Sequence, residues 1–286
     1  MKISTVVKQF EGSGHVLRCP LCKGNLIPVS TGSFVCSNGH CFDLSSKGYL
    51  NLIPHQNQSK IKYDGALFES RSLVFNDGFY APVVSQLLDA LQKHGQEKSL
   101  LTMLDAGSGE GYYSLALKKA LPDVDVYAVD NSRDAALLAA RRSREVKWIV
   151  ADLAELPVKD HCVDLLLNIL TPANYNEFMR VLAPGGILLK IVPGDSYLQE
   201  IRNCIKSGLH RKTYSNQKVL DYFYAHTKLL EQKKISYRLP VDRRQLEAFF
   251  RMTPMTFGID AGPLDCGGVT HITIDLILLA GTHPSK

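Results

Sequence analysis

Four residues near the N-terminus are spaced as a metal ion would need them. Cys19-Pro20-Leu21-Cys22 is a tight C-x-x-C knuckle, Cys36 follows, and His40 lies four positions further on. Three thiolates and one imidazole make a closed tetrahedral zinc set, with no position left for water or substrate, so the metal would be structural. Cys41, next to His40, is a rival for the fourth position. Buried free thiols are the plain alternative, although C-x-x-C followed by C-x3-H seldom arises by accident. A redox role fits less well, because the motif precedes any strand–helix–strand unit. The stretch is too short to bury a core of its own, so metal binding would supply much of its folding energy.

A second constellation is built on glycine. Leu104-Asp105-Ala106-Gly107-Ser108-Gly109-Glu110-Gly111 ends a short apolar run and opens a helical stretch. Gly107, Gly109 and Gly111 let the backbone turn tightly and approach a ligand without side-chain interference, and helix N-terminal amides favour a ligand carboxylate. The spacing is G-x-G-x-G, not the dinucleotide G-x-G-x-x-G. Three acids stand in register with it. Asp130 ends the second strand, where a carboxylate can accept two ribose hydroxyls. Asp152 follows the third, within reach of an adenine amino group, and Asp105 is placed to orient the loop or an amine. An adenosine with an amino-acid tail and no pyrophosphate matches this set, which points to S-adenosylmethionine (SAM). The competing readings are Asp130 as a turn residue, Asp152 as a helix cap, and a nucleotide-dependent oxidoreductase. Against the last stand the glycine spacing and the lack of a recognisable substrate domain.

The elements that must position these residues follow from periodicity. Leu100–Leu104, Val124–Val129, Val146–Val150, Val163–Ile169 and Ile187–Val192 are apolar strands. Tyr112–Leu121, Ser132–Arg142 and Asn174–Leu182 between them are helical, with Ser132 a plausible N-cap. Later come strands at Ile235–Leu239 and Thr270–Leu279 around a helix at Arg243–Met252. This alternation predicts an α/β fold, a Rossmann-like, doubly wound and mostly parallel sheet, which binds ligands at its carboxyl edge. Phe68–Leu91 is helical, broken near Asp77-Gly78 and Pro82, and polar Ile53–Tyr63 reads as a linker. Three segments are expected: 1–53, a zinc-binding module; 54–99, a linker and helical segment bordering the cofactor site; and 100–286, the SAM-dependent domain.

Of 286 residues, 45% are hydrophobic and 21% charged, ordinary values for a chain with a real core. No apolar run reaches membrane-spanning length and no signal peptide is visible, so a cytoplasmic protein without a membrane partner is expected. The net charge of +5 sits wholly in residues 1–62, which hold seven basic and two acidic residues. A basic module suggests a polyanionic partner.

The two constellations together resemble one family, the RlmA/TlrB-type 23S ribosomal RNA (guanine-N1)-methyltransferases. The resemblance runs through Cys19-Pro20-Leu21-Cys22, Cys36, His40, Phe42-Asp43 and Gly48-Tyr49-Leu50-Asn51-Leu52. It continues through Gly78-Phe79-Tyr80, Asp105 to Tyr113, Thr171-Pro172-Ala173-Asn174-Tyr175, Arg180-Val181-Leu182 and Met252-Thr253-Pro254. The Pro-Ala-Asn-Tyr stretch is closer to the Gram-positive, TlrB-like branch. The resemblance implies Cys19, Cys22, Cys36 and His40 as ligands of one Zn2+, and Tyr80, Gly109 and Glu110 as SAM contacts. Tyr197 stands where relatives have a SAM-contacting histidine. It also implies a 23S rRNA hairpin near the macrolide site of the exit tunnel as partner and substrate, and a link to tylosin-type resistance. A homodimer is left open. The acceptor pocket is expected at the end of the fourth strand, with Asn174 reading the guanine edge and Tyr175 stacking on the base. The equal alternative has Asn174 capping the next helix and Tyr175 packed in its first turn. No residue stands out as general base. A small-molecule methyltransferase would leave the zinc module unexplained; a zinc-containing SAM sensor is the third option.

Overall fold

The computed structural model describes residues 3–53, 65–95, 101–205, 215–256 and 268–284. Helix α1 (Ile3–Gln9) precedes a small antiparallel sheet of β1 (Leu26–Val29), β2 (Ser33–Cys36) and β3 (Cys41–Asp43), in that order. Its register pairs Leu26 with Cys36 and Val35 with Cys41. The hairpins therefore carry Cys36 and the turn at His40 back to the knuckle before β1.

β4 (Tyr49–Asn51) leaves this module and joins the main sheet. Then follow α2 (Gly65–Asn76), α3 (Ala81–His94), β5 (Thr102–Ala106), α4 (Tyr112–Ala120), β6 (Asp125–Asp130), α5 (Arg133–Arg142), β7 (Lys147–Val150) and β8 (Val163–Ile169). The chain closes with α6 (Tyr175–Val181), β9 (Leu182–Pro193), α7 (Gln199–Ile205), α8 (Gln217–His226), β10 (Lys228–Pro240), α9 (Arg243–Met252) and β11 (His271–Thr282). The eight strands lie in the order β10-β11-β9-β8-β5-β6-β7-β4. Pairing is parallel from β9 through to β4, and β11 runs against both of its neighbours. The doubly wound, mostly parallel sheet expected from the strand–helix alternation is present.

Alternation along the strands divides the core into two layers. Met103, Val126, Ala128, Leu165 and Leu167 face one side, where α2, α3, α4, α5, α7 and α9 pack. Leu104, Tyr127, Val129 and Leu166 face the other, against α6 and α8. Residues 151–162, between β7 and β8, contain no helix. The apolar ground that a crossover helix would cover is taken by the N-terminal module, whose Val6, Phe10, Val16, Leu17 and Leu26 are fully buried in that same layer. Backbone bonds stitch the junction: Arg18 N donates to Pro157 O at 3.0 Å and Lys159 N to Val16 O at 2.8 Å. Arg144 donates to Lys47 O at 2.8 Å and Arg133 to the Tyr49 hydroxyl at 2.8 Å.

The module expected to stand apart behind a linker is thus built into the main core, because among the described residues nothing else covers the second face of the sheet there. The linker, read as Ile53–Tyr63, lies outside the described residues from position 54 onward. The integration has a measurable consequence. Each buried Phe or Leu contributes about 1.5–3 kcal/mol, and Phe10, Leu17, Leu26, Phe34, Leu50 and Leu52 together rival the roughly 5–15 kcal/mol by which a domain is stable. Deleting residues 1–52 should abolish cooperative thermal unfolding or leave the chain insoluble. A truncated chain that melts cooperatively near the full-length midpoint would show the module to be dispensable to the core.

Candidate functional site

The sulfurs and imidazole predicted to hold a metal converge. The ligand atoms of Cys19, Cys22, Cys36 and His40 all lie within 4.8 Å of one another. His40 Nδ1 stands 3.5 Å from Cys19 Sγ and 3.3 Å from Cys36 Sγ, and Cys22 and Cys36 Sγ are 3.6 Å apart. Ligands bound to tetrahedral zinc at about 2.3 Å for sulfur and 2.0 Å for nitrogen stand roughly 3.5–3.8 Å from each other, so the cluster has the dimensions of a closed zinc site. Cys41 is exposed and outside it. The turns that bring the ligands together are held by Cys19 N to Gly24 O at 2.8 Å and Cys36 N to His40 O at 3.1 Å.

At the carboxyl edge of the main sheet, the chain leaving β5 makes the glycine loop and enters α4. Gly107, Gly109 and Gly111 all have positive φ, at 91°, 55° and 82°. A Cβ on Gly107 would come within 2.6 Å of Thr171, and one on Gly111 would strike the Trp148 ring, so neither position admits a side chain. Asp130 grips the loop: its Oδ2 accepts from Gly109 N at 2.8 Å and its Oδ1 from Ser132 N at 2.8 Å. Burial raises its pKa, opposed by these two amides. Asp105 is buried and accepts from Ser114 Oγ at 2.6 Å, tying β5 to the first turns of α4. Burial pushes its carboxyl up to about 7, the Ser114 hydrogen bond opposes this, and the nearby Asp130 charge adds to it. Glu110 is buried, and Arg71 Nε on α2 stands 3.0 and 2.9 Å from its two carboxylate oxygens. Asp152 is exposed at the end of β7, with Oδ1 accepting from Ala154 N at 2.8 Å.

Two tyrosines from distant segments meet over this edge. The hydroxyls of Tyr80, at the start of α3, and Tyr197, in the turn after β9, are 2.6 Å apart. Burial, with Tyr197 beside it, holds the Tyr80 phenol above its usual pKa, so it remains a donor. Tyr80 packs on Phe75 at 5.4 Å, and Phe75 stacks on Tyr112 at 4.3 Å, which links the pair to the residues just after Gly111.

The structure does not give Asn174 and Tyr175 the acceptor roles. Asn174 caps α6: its Oδ1 accepts from Glu177 N at 3.3 Å and its Nδ2 donates to Ala154 O at 2.9 Å. Tyr175 is buried, stacked on His226 at 5.3 Å and edged by Tyr222, Phe178 and Phe223. Its ring offers no face to a base, because α8 closes over it.

The N-terminal part matches the family model described as RlmA, N-terminal, over residues 17–60, and a methyltransferase-domain model covers residues 103–186. The Bacillus subtilis protein YxjB, provisionally named a 23S rRNA (guanine-N1)-methyltransferase, is 31% identical over 93% of this chain and 96% of its own length. The chain belongs to the RlmA-type 23S rRNA (guanine-N1)-methyltransferase family. The 23S rRNA (guanine(748)-N1)-methyltransferase of Streptomyces fradiae is 26% identical over 91% of this chain and 94% of its own. The fold is shared with a chain of the Haloferax volcanii complex between the Trm112 methyltransferase activator and a candidate methyltransferase, at 20% identity and a TM-score of 0.50 over 77% of this chain and 95% of that one.

The RlmA-type cofactors are SAM and one structural zinc ion, and the residues present fit both. The thiolate–imidazole cluster suits zinc in donor set and size. Three left-handed glycines, two of them packed too closely against Thr171 and Trp148 to carry a side chain, hold the loop in one turn at the carboxyl edge, and the buried Glu110, paired with Arg71, stands on it as a site for an amino-acid-bearing cofactor requires.

Two polar residues of this RlmA-type site escape sequence reasoning, because nothing in their local sequence marks them. One is Arg71, the seventh residue of α2 and brought to the loop by the packing of that helix. The other is Lys190, which looks like a misfit in the apolar run of β9. Its ammonium is buried and donates to Asn168 Oδ1 and, at 3.2 Å, to Thr171 O. Asn168 Nδ2 in turn donates to Ala106 O at 3.1 Å and Pro172 O at 3.2 Å. The pair thus anchors the Thr171-Pro172 turn to the end of β5. No carboxylate among the described residues pairs with Lys190, and burial pushes its pKa down to about 8.

Two measurements test these assignments. Purified protein should carry one zinc per chain. Cys41→Ser should keep it and His40→Ala should lose most of it by metal analysis; the reverse would make Cys41 the fourth ligand. For Lys190, a folded pKa below the unfolded value of 10.5 means the charge opposes folding below pH 8 and ceases to do so as pH rises to 10.5. At about 1.36 kcal/mol per pKa unit, wild type should gain up to about 3 kcal/mol on Lys190→Met across that window in denaturant titrations. A difference between the two proteins that stays constant with pH would contradict a buried charge.

Proposed function

We propose that this chain transfers a methyl group from SAM to N1 of a guanine in a 23S rRNA hairpin near the macrolide site of the exit tunnel, and thereby contributes to tylosin-type resistance. The reading is carried by one observation: a zinc ribbon of RlmA type is fused into the core of a SAM-type sheet. The Streptomyces fradiae relative, named for N1 of guanine 748, is matched along 94% of its length, which favours the same atom and a similar target here.

When bound, SAM supplies an electrophilic methyl carbon on its sulfonium. Direct displacement at that carbon depends mainly on orientation. Gly107, Gly109, Glu110 and Gly111 present the loop backbone and one buried acid to the cofactor, Asp130 fixes the loop, and Asp105 fixes its helix. Tyr80 and Tyr197 share a hydrogen bond at the same edge, with Tyr197 taking the place of the histidine of relatives. Asp152 stands at the adenine end. Guanine N1 attacks the methyl carbon once its proton has passed to solvent, and the sulfur leaves with the S–C electron pair. The Thr171-Pro172 turn, anchored by Asn168 and Lys190, forms the acceptor side, and the Lys190 ammonium beneath it adds a positive potential that favours the anion. A hairpin base reaches this depth by leaving its stack.

Segment 1–53 is assigned to RNA recognition, 54–99 to the border of the cofactor site and 100–286 to catalysis. Exposed Lys8 and Lys47 give the module its phosphate-facing charge, while Lys23 is engaged by Glu155 across the junction. Mass mapping of 23S rRNA from cells with and without the gene should find one N1-methylated guanine that disappears with the gene, together with a lower tolerance of tylosin. Identical rRNA from both strains would refute the reading.

A further inference from the structure

The amino-acid end of SAM carries an α-carboxylate, and the glycine loop is surrounded by acids. Asp105, Glu110 and Asp130 all lie at or beside it. A negatively charged group entering here needs a cation that is near the loop and not already consumed.

Among the described residues, two arginines reach the loop. Arg142 is spent: one Nη donates to Glu110 O at 3.4 Å and the other to Ser72 Oγ at 2.5 Å. Arg71 is half spent. Its Nε serves Glu110, which fixes the plane of the guanidinium, and the group also lies over the Phe75 ring, 5.6 Å from its centroid. Its Nη2 lies against the loop, since a Cβ on Gly109 would stand 3.1 Å from it. The Arg71 side chain keeps about a third of its exposure (31%) while Glu110 keeps almost none (1%), so the unpaired edge of the fork faces outward, along the loop. Asp130 feels its charge as well.

We propose that Arg71 is the carboxylate clamp of the cofactor site. Glu110 and Phe75 hold the guanidinium so that its two Nη groups meet the α-carboxylate of SAM as a fork, alongside the amides at the start of α4. Glu110 stays committed to Arg71, with Arg71 Nε 3.0 and 2.9 Å from its two carboxylate oxygens. The ligand class is an α-amino acid attached to a nucleoside through sulfur. Because α2 supplies the clamp, cofactor binding secures α2 to the catalytic sheet. The inference rests on SAM being the cofactor.

Decarboxylated SAM differs from SAM only by the missing carboxylate, and calorimetry with both ligands isolates the contact. Wild type should prefer SAM by about 10- to 100-fold, the worth of a charge-assisted hydrogen-bond pair. Arg71→Ala should bring the two affinities within about threefold of each other, chiefly by weakening SAM. Arg71→Lys, which keeps a cation for Glu110 but lacks the fork, should lose most of the preference while remaining folded. A preference undiminished in both variants, or an equal fall for both ligands, would overturn the clamp and leave Arg71 a structural partner of Glu110. Wild type that binds neither ligand would overturn the cofactor reading, and the clamp with it.

Discussion

A sheet with two apolar faces must have both covered, and in this protein that requirement governs how the parts are joined. The connection between β7 and β8 forms no helix. Residues of the N-terminal module, among them Phe10, Val16 and Leu17, occupy the ground beside Leu156, Val158 and Ile149 instead. Hydrophobic burial is non-directional, so a zinc ribbon can do here what a crossover helix does elsewhere. The same packing fixes the orientation of the metal site on the sheet. β4 then continues the sheet beside β7, and Leu52 N bonds to Val150 O at 2.8 Å. The chain leaving the module therefore arrives at the carboxyl edge where the cofactor loop sits.

The ligand cluster adds a structural zinc to this support. The three short strands of the ribbon bury few large side chains of their own, and Leu21 and Ile27 are half exposed. A tetrahedral clamp closes the knuckle to the second hairpin and orders a surface the apolar core does not reach.

The carboxyl edge stores electrostatic cost. Asp105 and Lys190 are both buried, with pKa values pushed in opposite directions to about 7 and about 8. Each is held by neutral hydrogen-bond partners, and each braces a turn: Asp105 through Ser114, Lys190 through Asn168 and Thr171. The two turns meet where Thr171 closes on Gly107. Polar groups buried at a carboxyl edge of a parallel sheet are expensive to retain, and they persist where a site needs its loops in one arrangement.

The zinc ligands, the glycine loop and the strand-end acids were legible in the chain because each is set by local spacing. C-x-x-C followed by C-x3-H and G-x-G-x-G are read from spacing alone, and an acid at the end of an apolar run marks a carboxylate that braces the adjoining turn, as Asp130 and Asp152 do. Strand and helix periodicity was equally local, and it predicted β5 to β8 to within two residues, whereas β9 begins five residues earlier than expected, at Leu182, and runs through the Pro184-Gly185-Gly186 stretch read as a break. Asn174 and Tyr175 were ambiguous for the opposite reason. Whether the tyrosine is covered depends on α8, some 45 residues further along, and the asparagine amide is turned away by Ala154 O, 20 residues back. Arg71 and Lys190 lie about 40 and 20 residues from the groups they serve. The seating of the zinc module on the sheet depends on apolar contacts between residues more than a hundred positions apart, such as Leu17 and Val158. Chemistry carried by neighbours in sequence can be read from the sequence; chemistry and burial that arise from distant chain segments are fixed only when the two faces of the sheet are packed.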